Sequence, residues 1–462
     1  MQYVSTRGRA PVLDFEAAML SGLASDGGLY VPQAWPTIPA EEIAGFAGQP
    51  YEAVAERVMA PFIGDSFDAT TLKSAIAEAY AGFGHAARCP LTEIAPGHFL
   101  LELFHGPTLA FKDVAMQLIG RLFQVALDRA GRRVTIVGAT SGDTGSAAIE
   151  AFRGNPAVDL FILYPHGRVS EVQRRQMTTP AEANVHAVAV DGDFDECQAR
   201  LKDMFNDAEF RAAVGLAGVN SINWARVLAQ VVYYFTAAVS LGAPHRPVRF
   251  CVPTGNFGDI FAGYVAKRMG LPIEKLVIAT NQNDILHRTL ESGAHQKAGV
   301  LPSISPSMDI QVSSNFERLL FELYDREPGA VAQSMAALGD AGGFVLSQGA
   351  LERLREDFGS GRASEEETSA VIADTLARSG ELVCPHTAVG IKVACEQPGS
   401  PAPMITLATA HPAKFPDAVA AATGVCPALP DRMGDLFDRP ERIARLPNDL
   451  AALKAFVADN RA

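Results

Sequence analysis

The chain has 462 residues, 48% of them hydrophobic and 20% charged, and a formal net charge of -13. Its length is too great for one simple core and implies two or three domains. Its charge repels nucleic acid and anionic membranes at long range, so neither is expected as a partner, and any phosphate bound here needs a positive field supplied locally.

The N-terminus, MQYVSTRGRAPVLDF, has no apolar core of signal-peptide length, and residues 1–95 read as a mostly helical cap. From about residue 98, short apolar runs alternate with amphipathic stretches. FLLELF (Phe99 to Phe104) reads as a strand. A loop follows, then a helix to about Ala130 that sets Ala115, Leu118, Ile119, Leu122 and Ala126 on one face. VTIVGA (Val134 to Ala139), DLFILY (Asp159 to Tyr164) and VHAVAV (Val185 to Val190) are further strands, each followed by a helical pattern. The most apolar helical stretch, near Val227 to Leu241, contains Gln230 and falls short of the ~20 residues that span a bilayer. It reads as a buried helix, and the protein as cytoplasmic.

After that helix come strand VRFCVP (Val248 to Pro253), loop TGNFGD, a helix and strand KLVIAT (Lys275 to Thr280). Residues from about 281 to 380 lack the strand–helix rhythm and read as a helical insertion, one helix opening at SEEET (Ser364 to Thr368). MITLATA (Met404 to Ala410) is a late strand. The repeated order predicts an α/β fold of parallel sheets with helices on both faces, binding ligands at the carboxyl ends of the strands. The expected partition is a cap over 1–95, a large domain from 96–110 and 241–462 carrying the insertion at about 281–380, and a small α/β domain over 111–240.

The six cysteines, Cys89, Cys197, Cys251, Cys384, Cys395 and Cys426, are scattered with no C-x-x-C pair, so neither zinc nor a disulfide framework is expected. No His/Cys/Asp/Glu cluster has metal-ligand spacing, and no metal site is assigned.

Three strand–loop–helix junctions share one design: small or hydroxyl residues lead into a helix whose unpaired N–H groups face an anion. In HGPTLAFKD (His105 to Asp113), Lys112 falls in the first helical turn beside Ala110 and Phe111. Apolar flanks and the positive helix end push its pKa below the ~10.4 of free lysine, toward the neutral amine that Schiff-base chemistry requires. Taken alone it reads more readily as an ordinary surface lysine. TSGDTG (Thr140 to Gly145) has the glycines and hydroxyls to cradle a carboxylate or phosphate, or is simply a capped turn. TGNFGD (Thr254 to Asp259) has neither the Walker nor the dinucleotide pattern, and its glycines let amides converge on an oxyanion or make an ordinary turn. VNSINWAR (Val219 to Arg226) offers Arg226 as a bidentate phosphate clamp or as a helix-terminal surface charge. In LATAHPAKF (Leu407 to Phe415), Thr409 stands where a hydroxyl could meet a ring nitrogen, and His411 is either catalytic or a turn residue.

The order FHGPTLAFKD, TSGDTG, VNSINWAR, VPTGNFGDIFAGYVAKRMGLP, SPSMDIQVSSNFERLL, PHTAVG, LATAHPAKFP resembles the threonine synthase family in its longer microbial and fungal branch. The resemblance runs from SDGGLYVP near residue 25 to about residue 425. It implies the fold type II (tryptophan synthase β-like) architecture of pyridoxal-phosphate enzymes, with the large domain holding pyridoxal 5'-phosphate. Lys112 matches the catalytic lysine that carries the cofactor as a Schiff base. Gly255, Asn256, Phe257 and Gly258 match the loop on the cofactor phosphate, and Thr409 the hydroxyl facing the ring nitrogen. Asp143 stands where shorter relatives have an Asn that contacts the cofactor's 3-hydroxyl, although an anion cannot donate to a phenolate oxygen. Thr140, Ser141 and Thr144 match the loop for the substrate carboxylate; Ser221, Asn223 and Arg226 match the segment for its phosphate. The implied reaction is that of a lyase in threonine biosynthesis: O-phospho-L-homoserine and water become L-threonine and phosphate by γ-elimination and β-hydration. The expected assembly is a monomer or homodimer. Rival readings are a dehydratase or phospho-amino-acid lyase of the same fold, a catalytically dead relative that only binds, and a nucleotide-binding regulator suggested by the Gly-rich loops alone.

Overall fold

Short, mostly apolar runs rich in β-branched and aromatic residues make most of the buried strands, and the Gly- and hydroxyl-rich segments between them make the turns. In a computed structural model, which describes residues 1–218 and 220–461, these strands form two main sheets. The larger has six strands in the order Phe358–Arg362, Ile273–Thr280, Val248–Pro253, Met404–Ala408, His98–Glu102, Leu91–Ala95. All its neighbours run parallel except the last pair, which is antiparallel. The smaller is wholly parallel, ordered Ala444–Leu446, Val185–Val190, Val158–Pro165, Val134–Ala139, Leu216–Ala217.

Two helices link the sheets. Lys112–Ala130 packs on helices Ala69–Tyr80, Asp143–Phe152 and Trp224–Ser240. At Gly120 the neighbouring backbone comes so close that a Cβ would strike the Ala151 carbonyl, so this contact depends on glycine. Trp224–Ser240 is buried almost all round, from Trp224 through Val239, as its largely apolar sequence predicts. Tyr3 fastens the N-terminal segment to it: the phenol donates to the Phe62 carbonyl at 2.8 Å and accepts from Trp224 Nε1 at 3.1 Å. Among the described residues no helix is long and apolar enough to cross a membrane.

Two placements differ from the sequence reading. Within residues 281–380, the segment FGSGR (Phe358–Arg362) is a strand, parallel to Ile273–Thr280 at the edge of the larger sheet. Its two glycines and serine hide it from a propensity reading, although the rest of that stretch is largely helical and Ser364 caps Glu365–Ser379 in a capping box with Glu367. The chain end, grouped by sequence with the large domain, returns to the smaller sheet: Ala444–Leu446 pairs with Val185–Val190, and helix Leu450–Asp459 packs on Phe194–Asn206. A three-residue strand is too short to carry a readable period.

Candidate active site

The carboxyl ends of four strands converge on a cavity of about 780 Å³ lined by Lys112, Asp143, Arg226, Asp259, His386 and Thr409, among others. The first loop is shaped by its own side chains. Asp113 accepts from the Thr108 amide at 2.8 Å and from its hydroxyl at 2.6 Å, closing the turn ahead of the helix. Ala110 pairs with Ala410 in an isolated antiparallel bridge, and the Phe111 amide donates to the Thr409 carbonyl at 2.8 Å. This backbone link brings Lys112 and Thr409 to one wall.

Lys112 is buried, its Nζ 4.6 Å from the Phe111 ring centre and 3.4 Å from Asp143 Oδ2. Burial lowers the pKa of its ammonium; Asp143 opposes that shift, and Lys414 and Arg226 reinforce it by repulsion. Burial alone would raise the Asp143 carboxyl, but Lys414 and Lys112 hold it well below the usual range. Lys414 Nζ lies 2.9 Å from Asp143 Oδ1, and Gln173 Nε2 donates to the same oxygen at 2.9 Å.

In the second loop, Thr140 Oγ1 accepts from the Gly142 and Gly145 amides, both at 2.9 Å. Those two N–H groups are therefore satisfied within the protein, leaving the Thr140 hydroxyl proton, Ser141 and Thr144 on the cavity wall. In the third, Phe257 takes the left-handed conformation (φ 63°) and buries its ring 5.4 Å from that of Phe316. Gly255 cannot be replaced freely, since a Cβ would lie 2.6 Å from the Ser307 carbonyl oxygen. Asn315 braces this loop: its amide donates to the Asn256 carbonyl at 3.0 Å, and its side chain reaches the Asn256 and Ser221 carbonyls at 2.9 and 3.1 Å.

Of the fourth predicted segment, Val219 lies outside the described residues. Ser221 and Arg226 line the cavity, and burial lowers the Arg226 guanidinium to about 10, so it stays charged at neutral pH. Asn223 is placed otherwise. Its Oδ1 caps helix Trp224–Ser240 by accepting from the Ala225 amide at 3.0 Å, and its Nδ2 donates to the Met19 carbonyl at 2.7 Å. With no solvent exposure, it is set back from the cavity wall. His411 likewise serves a turn, Nδ1 accepting from the Ala413 amide at 3.2 Å.

Sequence reasoning passed over several residues. Lys414 and His386 sit inside quoted motifs, yet nothing in their spacing marks them as buried beside Lys112. Arg318, wholly buried, donates to the Ile222 and Tyr30 carbonyls at 2.6 and 3.0 Å and so fixes the approach to Arg226. Two orphaned polar atoms belong to cavity-lining residues. Asp259 Oδ1 accepts from Tyr233 and Tyr234, but Oδ2 has no partner among the described residues, and burial pushes this carboxyl up to about 6. His386 Nε2 accepts from the Ser307 amide at 3.2 Å while Nδ1 has no partner among the described residues, and burial lowers the ring to about 4, keeping it neutral. A buried amine of lowered pKa, a glycine loop at a helix start, a hydroxyl opposite and unpaired polar atoms fit a small phosphorylated aldehyde and an anionic substrate.

Known proteins match along the whole length. The family model described as threonine synthase N terminus covers residues 2–80, that of pyridoxal-phosphate dependent enzymes residues 90–339, and that of threonine synthase, C-terminal, residues 387–457. The chain is 53% identical to threonine synthase of Pseudomonas aeruginosa, over 100% of this chain and 98% of that protein. A crystal structure of pyridoxal-phosphate-bound threonine synthase from Brucella melitensis superimposes with TM-score 0.98 at 57% identity, covering 100% of both chains. Yeast threonine synthase gives 0.93 at 39% identity over 99% of this chain and 98% of that one.

Proposed function

The chain belongs to the threonine synthase family of pyridoxal-phosphate-dependent enzymes, and from that premise we propose that it converts O-phospho-L-homoserine and water to L-threonine and phosphate. The observation that carries this reading is a buried lysine of lowered pKa, at the opening of a helix and on the wall of a cavity lined by three loops that each lead from a strand into a helix. Bound pyridoxal phosphate supplies the electron sink that makes protons on the substrate's carbons removable.

Everything else falls to the protein's own groups. Lys112 holds the cofactor and, once freed, takes the proton from Cα as a neutral amine and returns protons later in the cycle. Gly255, Asn256, Phe257 and Gly258 hold the cofactor phosphate at the start of helix Gly258–Arg268, where unpaired amides and the helix dipole favour an anion. Thr409 presents its hydroxyl to the ring nitrogen, from a position tied by backbone to the lysine loop. Asp143, held ionised, is an acceptor beside Lys112 rather than a donor to the cofactor. Thr140, Ser141 and Thr144 receive the substrate carboxylate, and Ser221 with Arg226 its phosphate. Asn223 orients that segment without touching substrate. In a chain of charge -13, these helix ends and one buried arginine give positive potential where the anions sit, without a basic surface.

The larger sheet with the N-terminal cap forms the cofactor-holding domain, and the five-stranded sheet the smaller one. The chain works in the cytoplasm as a monomer or homodimer; the six scattered cysteines, none of them paired in a disulfide among the described residues, support a reducing compartment. The test is phosphate release from O-phosphohomoserine with threonine identified as product, on wild type and Lys112→Ala. Borohydride reduction and peptide mapping are run on the wild type. Turnover lost in the variant and an adduct on Lys112 are expected; an adduct on another lysine, or release of phosphate without threonine, overturns the assignment.

A further inference from the structure

Asp143 lies between two lysines, and only one of them faces the cavity. Lys112 Nζ stands 3.4 Å from Oδ2 on the cavity wall. Lys414, fully buried and set back from it, has three oxygens around its ammonium: Asp143 Oδ1 at 2.9 Å, the Thr108 carbonyl at 2.7 Å and Ser146 Oγ at 3.4 Å. Those contacts match its three N–H donors. They come from the lysine loop and from helix Asp143–Phe152, so the ammonium, carried on the turn after strand Met404–Ala408, is held from two other elements.

The two lysines are unequal competitors for one carboxylate. Lys414 has a short ion pair and a carbonyl acceptor; Lys112 has one long contact and an aromatic ring. A second ammonium in this buried space would be poorly compensated, and desolvation then favours deprotonation of the worse-solvated amine. Gln173 adds to the imbalance by donating to the oxygen that Lys414 already holds.

Resting on the assignment of Lys112 as the cofactor lysine, we propose that Lys414 is a positioning residue that saturates Asp143 and thereby keeps Lys112 a free amine, the form able to attack an aldehyde. Other charged or titratable groups that act on Lys112 are Arg226 on helix Trp224–Ser240, Asp259 opening helix Gly258–Arg268, and His386 in helix Pro385–Cys395. All three remain in place when Lys414 alone is changed.

The experiment reads the amine itself. Full-length protein stripped of cofactor is labelled briefly with acetic anhydride across a pH series, and Lys112 acetylation is quantified by peptide mass mapping against exposed Lys73. In Lys414→Met, Asp143 is left to Lys112 alone, the ammonium form gains, and Lys112 labelling at neutral pH slows by about tenfold, the factor carried by one pH unit. In the double variant Asp143→Asn/Lys414→Met both the competitor and the carboxylate are gone, and labelling returns to within about twofold of wild type. Damage to packing would not reverse on adding a second substitution. Lys414→Gln, which keeps donors for the Thr108 carbonyl without the charge, takes the place of Lys414→Met if that variant does not fold, with the same slowing expected. Unchanged or faster labelling in the single variant, or a double variant as slow as the single, overturns the proposal. Failure of the underlying assignment is seen separately, as a borohydride adduct on a different lysine in the wild type.

Discussion

Asn223→Ala separates a residue that binds substrate from one that holds the helix from which substrate is bound. Two interactions vanish with the carboxamide: the cap on the Ala225 amide and the bond to the Met19 carbonyl, both buried. Loss of such a cap costs about 1 kcal/mol, and leaving a buried carbonyl without a donor costs about 1–3 kcal/mol. The expected destabilisation is therefore about 3 kcal/mol. Urea unfolding followed by tryptophan fluorescence reads it directly, because Trp224 is the next residue and is buried. Asn223→Ser keeps a capping oxygen but cannot span to Met19, so it recovers roughly 1 kcal/mol of the loss. KM for O-phosphohomoserine, measured on the folded fraction, stays within about twofold of wild type, well under the 1.4 kcal/mol of a tenfold change. A large rise in KM with an unmoved urea midpoint would refute this reasoning and return Asn223 to the substrate.

Arg226→Ala keeps the cofactor absorbance but loses about 2–5 kcal/mol in kcat/KM for the phosphorylated substrate; loss of the absorbance instead means the arginine holds the cofactor. Gly255→Ala drives a Cβ toward the Ser307 carbonyl, and an overpacking cost of about 1–3 kcal/mol weakens coenzyme binding to the stripped protein. An unchanged coenzyme titration contradicts it. Asp259 carries a carboxyl raised by burial to about 6, so the folded state keeps its proton where the unfolded chain has lost it. Its contribution favours folding at low pH and is lost as pH rises from about 4 to about 6. Asp259→Asn should match wild-type stability near pH 4 and exceed it by on the order of 3 kcal/mol above pH 6. A difference that does not vary with pH in urea titrations of the cofactor-free proteins disproves this.

The strands around the site were legible because each is a short, mostly apolar run rich in valine: Val134–Ala139, Val185–Val190 and Val248–Pro253 stand where the residue pattern predicts. Phe358–Arg362 was hidden by its glycines and Ala444–Leu446 by its brevity, since neither leaves a periodic trace. At the site, Lys112, Thr409 and Arg226 were found as members of motifs and do line one cavity. Asn223 belongs to the same motif, but a helix-capping Asn and a ligand-binding Asn look alike in sequence, and only the Met19 contact, 204 positions away, tells them apart. Lys414 was illegible for a similar reason. Its flanks, Ala413 and Phe415, do not by themselves separate a buried lysine from a solvated one, and its burial depends on acceptors at Thr108, Asp143 and Ser146 that the chain brings in from afar.

The short bridge between Ala110 and Ala410 fixes what the amine moves with. Lys112 begins a helix that packs on elements of the smaller sheet, yet one residue earlier the main chain is stitched to the turn leaving a strand of the larger one. If the smaller unit tilts as ligand enters or leaves, the first helical turn is the pivot and the far end swings. The nitrogen then keeps its register with the Thr409 side of the pocket, and any slack is taken up at the Ser141–Thr144 loop, which lines the same cavity.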